Sequence, residues 1–426
     1  IRSDTQTLIK EKKGCRNVDD LLHYGSTWKL NGMKGSVTTQ RLLEESLEES
    51  CIIFANAHHL YSLHERVEND FAFDLICVDE ASQLPTDYFM ASLQYIYKYS
   101  FSVKPLSDLN RATMSNLNLE VEEDKKCNLT KVVIVGDHNQ LPPVRVKTPP
   151  KNLEVVLDSL FSYYVQGHFI SSKQLKINYR SHEDIVAFTA LLGLYKDLTA
   201  FKTNAKALLK GNIKKVSFPW MREILDPNKV VCSILHNRKF EIGISIFEAF
   251  LVSQIILSFY NMKSPKNKQE EVLFWTEGVG VVAPHNAQGR TIIRHVFDIF
   301  QPISYLSERT LMNHLKNTIY SVEKFQGSDR ELIISSIGLS DLDKISAEEE
   351  FIFDLNRFNV LTSRAKHKVI FIISNKFLGY IPDERVILEK ASKIYTYVQE
   401  FCNEKIELEI DNEKNEKEKL IFRFKK

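Results

Sequence analysis

The run Phe73-Asp74-Leu75-Ile76-Cys77-Val78 is apolar and strand-like, and it ends abruptly in two adjacent carboxylates, Asp79 and Glu80, followed by Ala81-Ser82-Gln83. In an open parallel sheet the ligand crevice lies beyond the carboxyl ends of the strands, so an acidic pair at that end marks a site. Mg2+ takes oxygen ligands, commonly one or two protein carboxylates beside nucleotide phosphates, and Asp79 suits that role. Glu80 can then hold an attacking water and accept its proton. The plain alternative is that both carboxylates cap a following helix, whose positive dipole end favours them.

A second strand of the same design favours the site. Lys131-Val132-Val133-Ile134-Val135 runs straight into Gly136-Asp137-His138-Asn139-Gln140-Leu141-Pro142-Pro143. Glycine permits a tight departure from the strand, Gln140 is a neutral group able to orient a phosphate oxygen or a water, and the two prolines fix the exit. Asp79-Glu80-Ala81-Ser82-Gln83 and Gly136-Asp137-His138-Asn139-Gln140-Leu141-Pro142-Pro143 resemble motifs II and III of superfamily 1 helicases, especially the Upf1-like group.

Three further segments extend the resemblance in family order. Leu175-Lys176-Ile177-Asn178-Tyr179-Arg180-Ser181-His182 resembles motif IV, and Arg180 is the residue carried over; a planar guanidinium suits a γ-phosphate better than lysine does. Ile319-Tyr320-Ser321-Val322-Glu323-Lys324-Phe325-Gln326-Gly327-Ser328-Asp329-Arg330-Glu331 resembles motif V, with Asp329 one methylene shorter than the family's usual glutamate. Asn356-Arg357-Phe358-Asn359-Val360-Leu361-Thr362-Ser363-Arg364-Ala365-Lys366 resembles motif VI, read as a helix whose Arg364 faces the nucleotide. Arg357 lies two helical turns earlier, so it can share that face and make it electropositive. Gly280-Val281-Val282-Ala283-Pro284-His285-Asn286-Ala287-Gln288 is similar to a family segment ending Pro-Tyr-x-x-Gln; His285 replaces the tyrosine and stacks less well on a base. The matching motifs run from Asp79 to Lys366, roughly two thirds of the chain.

The resemblance implies an α/β fold of two RecA-like domains with parallel sheets, the first incomplete at its N-terminus. Residues 1–165 would be the remainder of domain 1 with an insertion near 88–128, residues 166–385 domain 2, and residues 386–426 a C-terminal helix and a charged tail, expected to be solvated or disordered. It further implies ATP held between the domains, with Asp79, Glu80 and Gln140 from the first and Arg180, Asp329 and Arg364 from the second. Asp79 would hold Mg2+, and Gly136, Asp137 and Gly327 would lie close to the nucleotide. The implied activity is ATP hydrolysis coupled to movement along single-stranded DNA or RNA; 5′-to-3′ direction belongs to the resembled group and is not legible in these residues.

One departure matters. A phosphate loop needs Gly-x-x-x-x-Gly-Lys followed by Ser or Thr, and nothing before Asp79 matches; Asn31-Gly32-Met33-Lys34-Gly35-Ser36 has the wrong spacing. The expectation is that an upstream P-loop segment of the same protein, or a longer chain, completes the site. The competing class is a non-catalytic RecA-like platform that binds nucleic acid or protein. A metal nuclease built on Asp79 and Glu80 would need further acidic ligands in nuclease-like spacing, and none is found.

Composition bounds the rest. At 43% hydrophobic and 26% charged residues a sizeable core can form, and 426 residues are too many for one domain. The net charge of +1 supplies no global basic field, so a nucleic-acid surface has to come from local clustering. Six scattered cysteines without a Cys-x-x-Cys pair argue against a zinc ribbon or a disulfide framework and for an intracellular, reducing compartment, cytoplasm or nucleus. The apolar run Phe247 to Tyr260 is too short for a membrane span and carries Ser253 and Gln254. His58, His59 and His64 lack the i, i+4 spacing of a metal pair. Expected elements also include a helix near Leu42–Leu47, a strand at Cys51–Ala57, a helix-like segment at Leu153–Val165, a strand at Val230–Leu235 and a helix at Ile246–Tyr260.

Overall fold

A computed structural model of the chain describes residue 56 and residues 72–93, 95–96, 130–143, 150, 153–239, 241–325, 328–412, 414 and 416–426. The helix and strand expected before residue 58, the three histidines, most of the 88–128 insertion and Gly327 lie outside the described residues. The chain divides into two units, Ile1–Asp137 with Pro142–Ile170 and His138–Leu141 with Ser171–Lys426. The motif III segment is thus split: Gly136 and Asp137 belong to the first unit and Gln140 to the second.

In the first unit, β1 (Leu75–Val78) and β2 (Lys131–Ile134) pair in parallel, with Leu75 opposite Lys131 and Val78 opposite Ile134. Helix α1 (Thr86–Leu93) follows β1 and buries Phe89 against Ala81 and Leu160, with Ile76, Val78, Ile134 and Phe161 packed around them. The helix expected at Leu153–Val165 is shorter than its apolar residues suggested. Leu153–Leu157 forms turns with Val155, Val156 and Leu157 exposed, and helix begins at Leu160 after Ser159, whose hydroxyl caps the Ser162 N–H at 3.1 Å.

The second unit is built on a seven-stranded sheet in the order β10 (Glu404–Asp411), β11 (Lys417–Phe424), β5 (Val231–His236), β9 (Ala365–Ser374), β8 (Arg330–Ser336), β6 (Val279–Ala283), β7 (Ile319–Ser321). Strands β5, β6, β7, β8 and β9 are mutually parallel. All six residues of β5 and all five of β6 are buried, because a parallel sheet is covered on both faces. One face packs on α3 (Ile246–Lys263) and α4 (Asn286–Phe300) through residues such as Ile255, Ile292, Ile234, Val281 and Ile372. The other packs on α2 (Glu183–Leu191), α5 (Leu355–Ser363) and α6 (Arg385–Tyr395) through Phe188, Phe358, Ile394, Phe371 and Ile373. Phe188 meets Tyr397 edge-to-face at 4.5 Å and Phe358 meets Phe371 at 5.4 Å, contacts worth about 0.5–1.5 kcal/mol each beyond the area they bury. A separate short pair, β3 (Ile177–Asn178) with β4 (Thr199–Ala200), is also parallel.

Helix α3 is the apolar run expected as a helix at Ile246–Tyr260, and it continues to Lys263. It is a core helix, buried around most of its circumference, capped at its start by Ser245, whose hydroxyl accepts from the Glu248 N–H at 3.1 Å, and ended by Ser264 in the left-handed region. Among the described residues no helix is long and apolar enough to cross a membrane.

The charged C-terminal segment departs from expectation. It is a β-hairpin, β10 (Glu404–Asp411) and β11 (Lys417–Phe424), whose second strand pairs antiparallel with β5. Charges alternate with Leu408, Ile410, Leu420 and Phe422, which are buried in the core, so the polar residues occupy only the outward positions of two strands. Of the run Asp411–Lys419, read as solvated chain, Asp411 and Lys417–Lys419 are strand residues.

Candidate active site

In the first unit the backbone itself singles out the β1 exit. Glu80 adopts φ 52°, a left-handed conformation unfavourable for a residue with a Cβ, and such strain is found where structure is held for a purpose. Asp79 Oδ1 accepts the Glu80 N–H at 2.9 Å, and Gln83 Nε2 donates to Glu80 Oε2 at 2.7 Å. The carboxylates do not cap a helix, since α1 begins only at Thr86. The loop after β2 is tied to the same turn. Ala81 N–H donates to Val135 O at 2.8 Å and Asp137 N–H to Ser82 Oγ at 3.1 Å. Gly136 is required here because a Cβ would stand 2.8 Å from Ser82 N and 3.0 Å from Phe161. Asp79, Glu80, Gly136 and Asp137 therefore form one locality at the carboxyl ends of two parallel strands. Ser82 and Gln83 hold it together; neither has a task that the sequence alone announces, although an i, i+3 amide was the available signal for Gln83.

Among the described residues no group of three or more His, Cys, Asp or Glu side chains is gathered as a metal site. The fit to Mg2+ is the single-carboxylate kind: Asp79 is exposed at the strand end, and phosphates and water would complete the shell.

In the second unit the turn before α2 fixes Arg180. Asn178 Oδ1 accepts the N–H groups of Arg180 and Ser181 at 2.8 and 3.0 Å, and His182 caps α2 through Nδ1. Arg180 Nε meets Asp329 Oδ2 at 3.2 Å, while Lys366 Nζ meets Asp329 Oδ1 at 2.8 Å. Burial alone would raise the Asp329 carboxyl, but the Lys366 hydrogen bond and charge, joined by Arg180, hold it below the usual carboxylate range. Arg364, 2% exposed at the end of α5, donates through Nη2 to Gln140 Oε1, and its carbonyl accepts the Arg330 N–H at 3.1 Å. Gln140, Arg180, Asp329 and Arg364 are thereby linked in one locality at the amino ends of β8 and β9. Lys366 is the member that sequence reasoning missed; it stands inside motif VI, and only the fold places it on Asp329.

Two expectations change. Arg357 and Arg364 do not combine into one positive face: Arg357 is ion-paired with Glu323 and lies over the Phe351 ring at 4.0 Å. Burial favours a protonated Glu323, yet the Arg357 hydrogen bond draws it below its ordinary value. His285 is also engaged within the protein, 3.2 Å from Glu348 and stacked on Phe351 at 5.8 Å. Gln288 is a buried pin, accepting the Ser245 N–H at 2.7 Å and donating to Ser336 Oγ at 3.0 Å.

An AAA domain family model matches residues 156–376, more than half of the chain and the part that carries Arg180, Asp329, Arg364 and Lys366. The chain belongs to the AAA domain family. This AAA domain chain is 25% identical over 270 residues to the DNA replication ATP-dependent helicase/nuclease JHS1 of Arabidopsis thaliana, an alignment covering 61% of this chain and 18% of the relative. It is 28% identical over 272 residues to the DNA replication ATP-dependent helicase/nuclease DNA2 of Mus musculus, covering 59% and 23%. The AAA domain chain spans less than a third of the length of these curated relatives, and 30% of the DNA replication ATP-dependent helicase/nuclease DNA2 of Bos taurus. A solved structure described as that of PRRSV helicase covers 80% of this chain and 42% of its own, at 11% identity and a TM-score of 0.28. The motif-based resemblance to superfamily 1 helicases of the Upf1-like group agrees with this set of relatives, and the mostly parallel seven-stranded sheet agrees with a RecA-like α/β fold.

Proposed function

We propose that this chain is the motor portion of an ATP-dependent helicase that moves along single-stranded DNA, 5′ to 3′. The observation that carries the reading is the linked set Gln140, Arg180, Asp329, Lys366 and Arg364, in which two arginines from distant segments and a neutral amide share one locality. The names of these relatives, DNA replication helicase/nucleases, favour DNA over RNA. In this reading Asp79 holds Mg2+, which neutralises phosphate charge when bound, and Glu80, aimed by Gln83, orients and deprotonates the attacking water. Gln140 senses the γ-phosphate, and Arg180 and Arg364 stabilise the charge that develops on it. Gly136 and Asp137 shape the loop beside Asp79, and Gly327 lets backbone approach the nucleotide. An intracellular location goes with work on DNA.

The phosphate loop is proposed to come from upstream residues of the same protein. Residues 1–426 alone should then hydrolyse ATP negligibly, whereas a protein that adds an upstream Gly-x-x-x-x-Gly-Lys-Ser/Thr segment should show ATPase activity stimulated by single-stranded DNA. Robust hydrolysis by the 426 residues would contradict the proposed source of phosphate binding. Failure of the longer protein to hydrolyse ATP, with strand binding intact, would leave the non-catalytic binding platform as the better reading.

A further inference from the structure

The nearly balanced charge of the chain hides a stretch with a dense run of one sign. From Leu198 to Arg222 there is no acidic residue, while Lys202, Lys206, Lys210, Lys214, Lys215 and Arg222 supply six cations; without them the net charge of +1 would turn negative. The spacing of Lys202, Lys206, Lys210 and Lys214 is four residues throughout. Neighbours in that series lie no further apart than roughly 14 Å even in extended chain.

The fold turns this series outward. Ala205, Leu209, Val216 and Met221 are buried, and the segment is pinned by Glu183 N–H to Ala205 O at 2.9 Å, His367 Nδ1 to Ala207 O at 3.0 Å and Asn212 N–H to Met262 O at 2.9 Å. All five lysines are exposed. Lys215 reaches Ser264 Oγ at 2.8 Å, but Lys202, Lys206, Lys210 and Lys214 make no ion pair among the described residues. Some other lysines of this unit are ion-paired, Lys176 with Asp197, Lys263 with Glu331 and Lys366 with Asp329. Surfaces ordinarily intersperse the two signs, and an unpaired single-sign strip raises the local concentration of polyanions. Aromatic side chains interleave it, Phe201 at 37% exposure and Phe218 at 49%, the latter stacked on Trp220 with centroids 6.0 Å apart. Bases stack on exposed aromatics while ammonium groups follow the phosphates.

We infer that Leu198–Arg222, which adjoins the Arg180 turn through the β3–β4 pair, is a contact surface for the phosphate backbone of single-stranded nucleic acid, formed by residues outside the family motifs. The inference rests on the proposed nucleic-acid function and adds a surface that none of the family motifs contains.

The test is salt-dependent binding of a labelled single-stranded oligonucleotide to the full chain, followed by fluorescence anisotropy. The fourfold variant Lys202→Gln, Lys206→Gln, Lys210→Gln, Lys214→Gln should keep its melting temperature, bind about tenfold or more weakly near 0.1 M salt, and show a slope of log K against log salt flatter by about 0.7 for each phosphate no longer neutralised. A control variant, Lys239→Gln, Arg385→Gln, Lys405→Gln, Lys419→Gln, removes the same charge from other exposed positions and should bind as the unaltered chain does. Equal weakening in the two variants would reduce the effect to net charge and overturn the inference. So would an unchanged affinity and slope in the first variant. If the unaltered chain bound no strand at all, the nucleic-acid reading itself would fall.

Discussion

Glu80 carries two signatures at once, a left-handed backbone and a side chain held by Gln83. Glu80→Gln keeps the shape and removes the carboxylate. In a protein that includes the phosphate loop it should leave ATP binding nearly intact and lower turnover about 10²-fold or more; near-normal hydrolysis by the purified variant would remove Glu80 from the chemistry. Asp329 makes a prediction in pH. Its carboxyl is held low by Lys366 and Arg180 against the opposing effect of burial, so its stabilising contribution is complete above the unfolded value of about 3.9 and disappears as pH falls through the lower folded value. Comparing urea midpoints, Asp329→Asn should be less stable than the parent at pH 7, and the difference should shrink below about pH 4. A constant gap across that window would show that the ion pairs with Lys366 and Arg180 are not its source.

At the scale of elements, the central strands were legible because their sequences leave little choice. The apolar run expected as a strand at Val230–Leu235 is Val231–His236, and Gly280–Ala283 and Lys368–Ile373 are apolar runs of the same kind, each in a strand buried on both faces. The C-terminal hairpin was not legible in the same way, since alternating glutamates and lysines outweigh Ile406, Leu408 and Ile410 when the segment is judged by composition; the period of two was present and would have signalled a strand. The site shows the same division. Motif residues were found by type and order, but the Lys366–Asp329 and Arg364–Gln140 partnerships join residues that only the fold brings together, and no spacing along the chain announces them. The hairpin's contribution is measurable. Phe422 is fully buried in the face that packs on α3 and α4, so Phe422→Ala should cost about 3–5 kcal/mol in denaturant unfolding. A loss below about 1 kcal/mol would mean that β11 decorates the sheet without supporting it.

On the scale of the whole molecule the two units differ in how much core they own. Among the described residues the first buries the hydrophobic residues Ala81, Phe89, Tyr95 and Leu160, while the second has an extensive apolar cluster on each face of its sheet. A fragment of residues 171–426 should therefore unfold in one cooperative transition by both circular dichroism and tryptophan fluorescence; non-coincident curves would show that it needs the rest of the chain to fold. The hairpin also decides how this unit behaves in a crowded solution. Without it the sheet would end on β5, an apolar strand with an open row of backbone donors and acceptors, a template on which another copy could build. With it the outermost strand is β10, whose outward side chains Lys405, Glu407, Glu409 and Asp411 are charged and exposed. Desolvating that row is expensive, so the charged C-terminal segment guards the second unit against strand-by-strand aggregation.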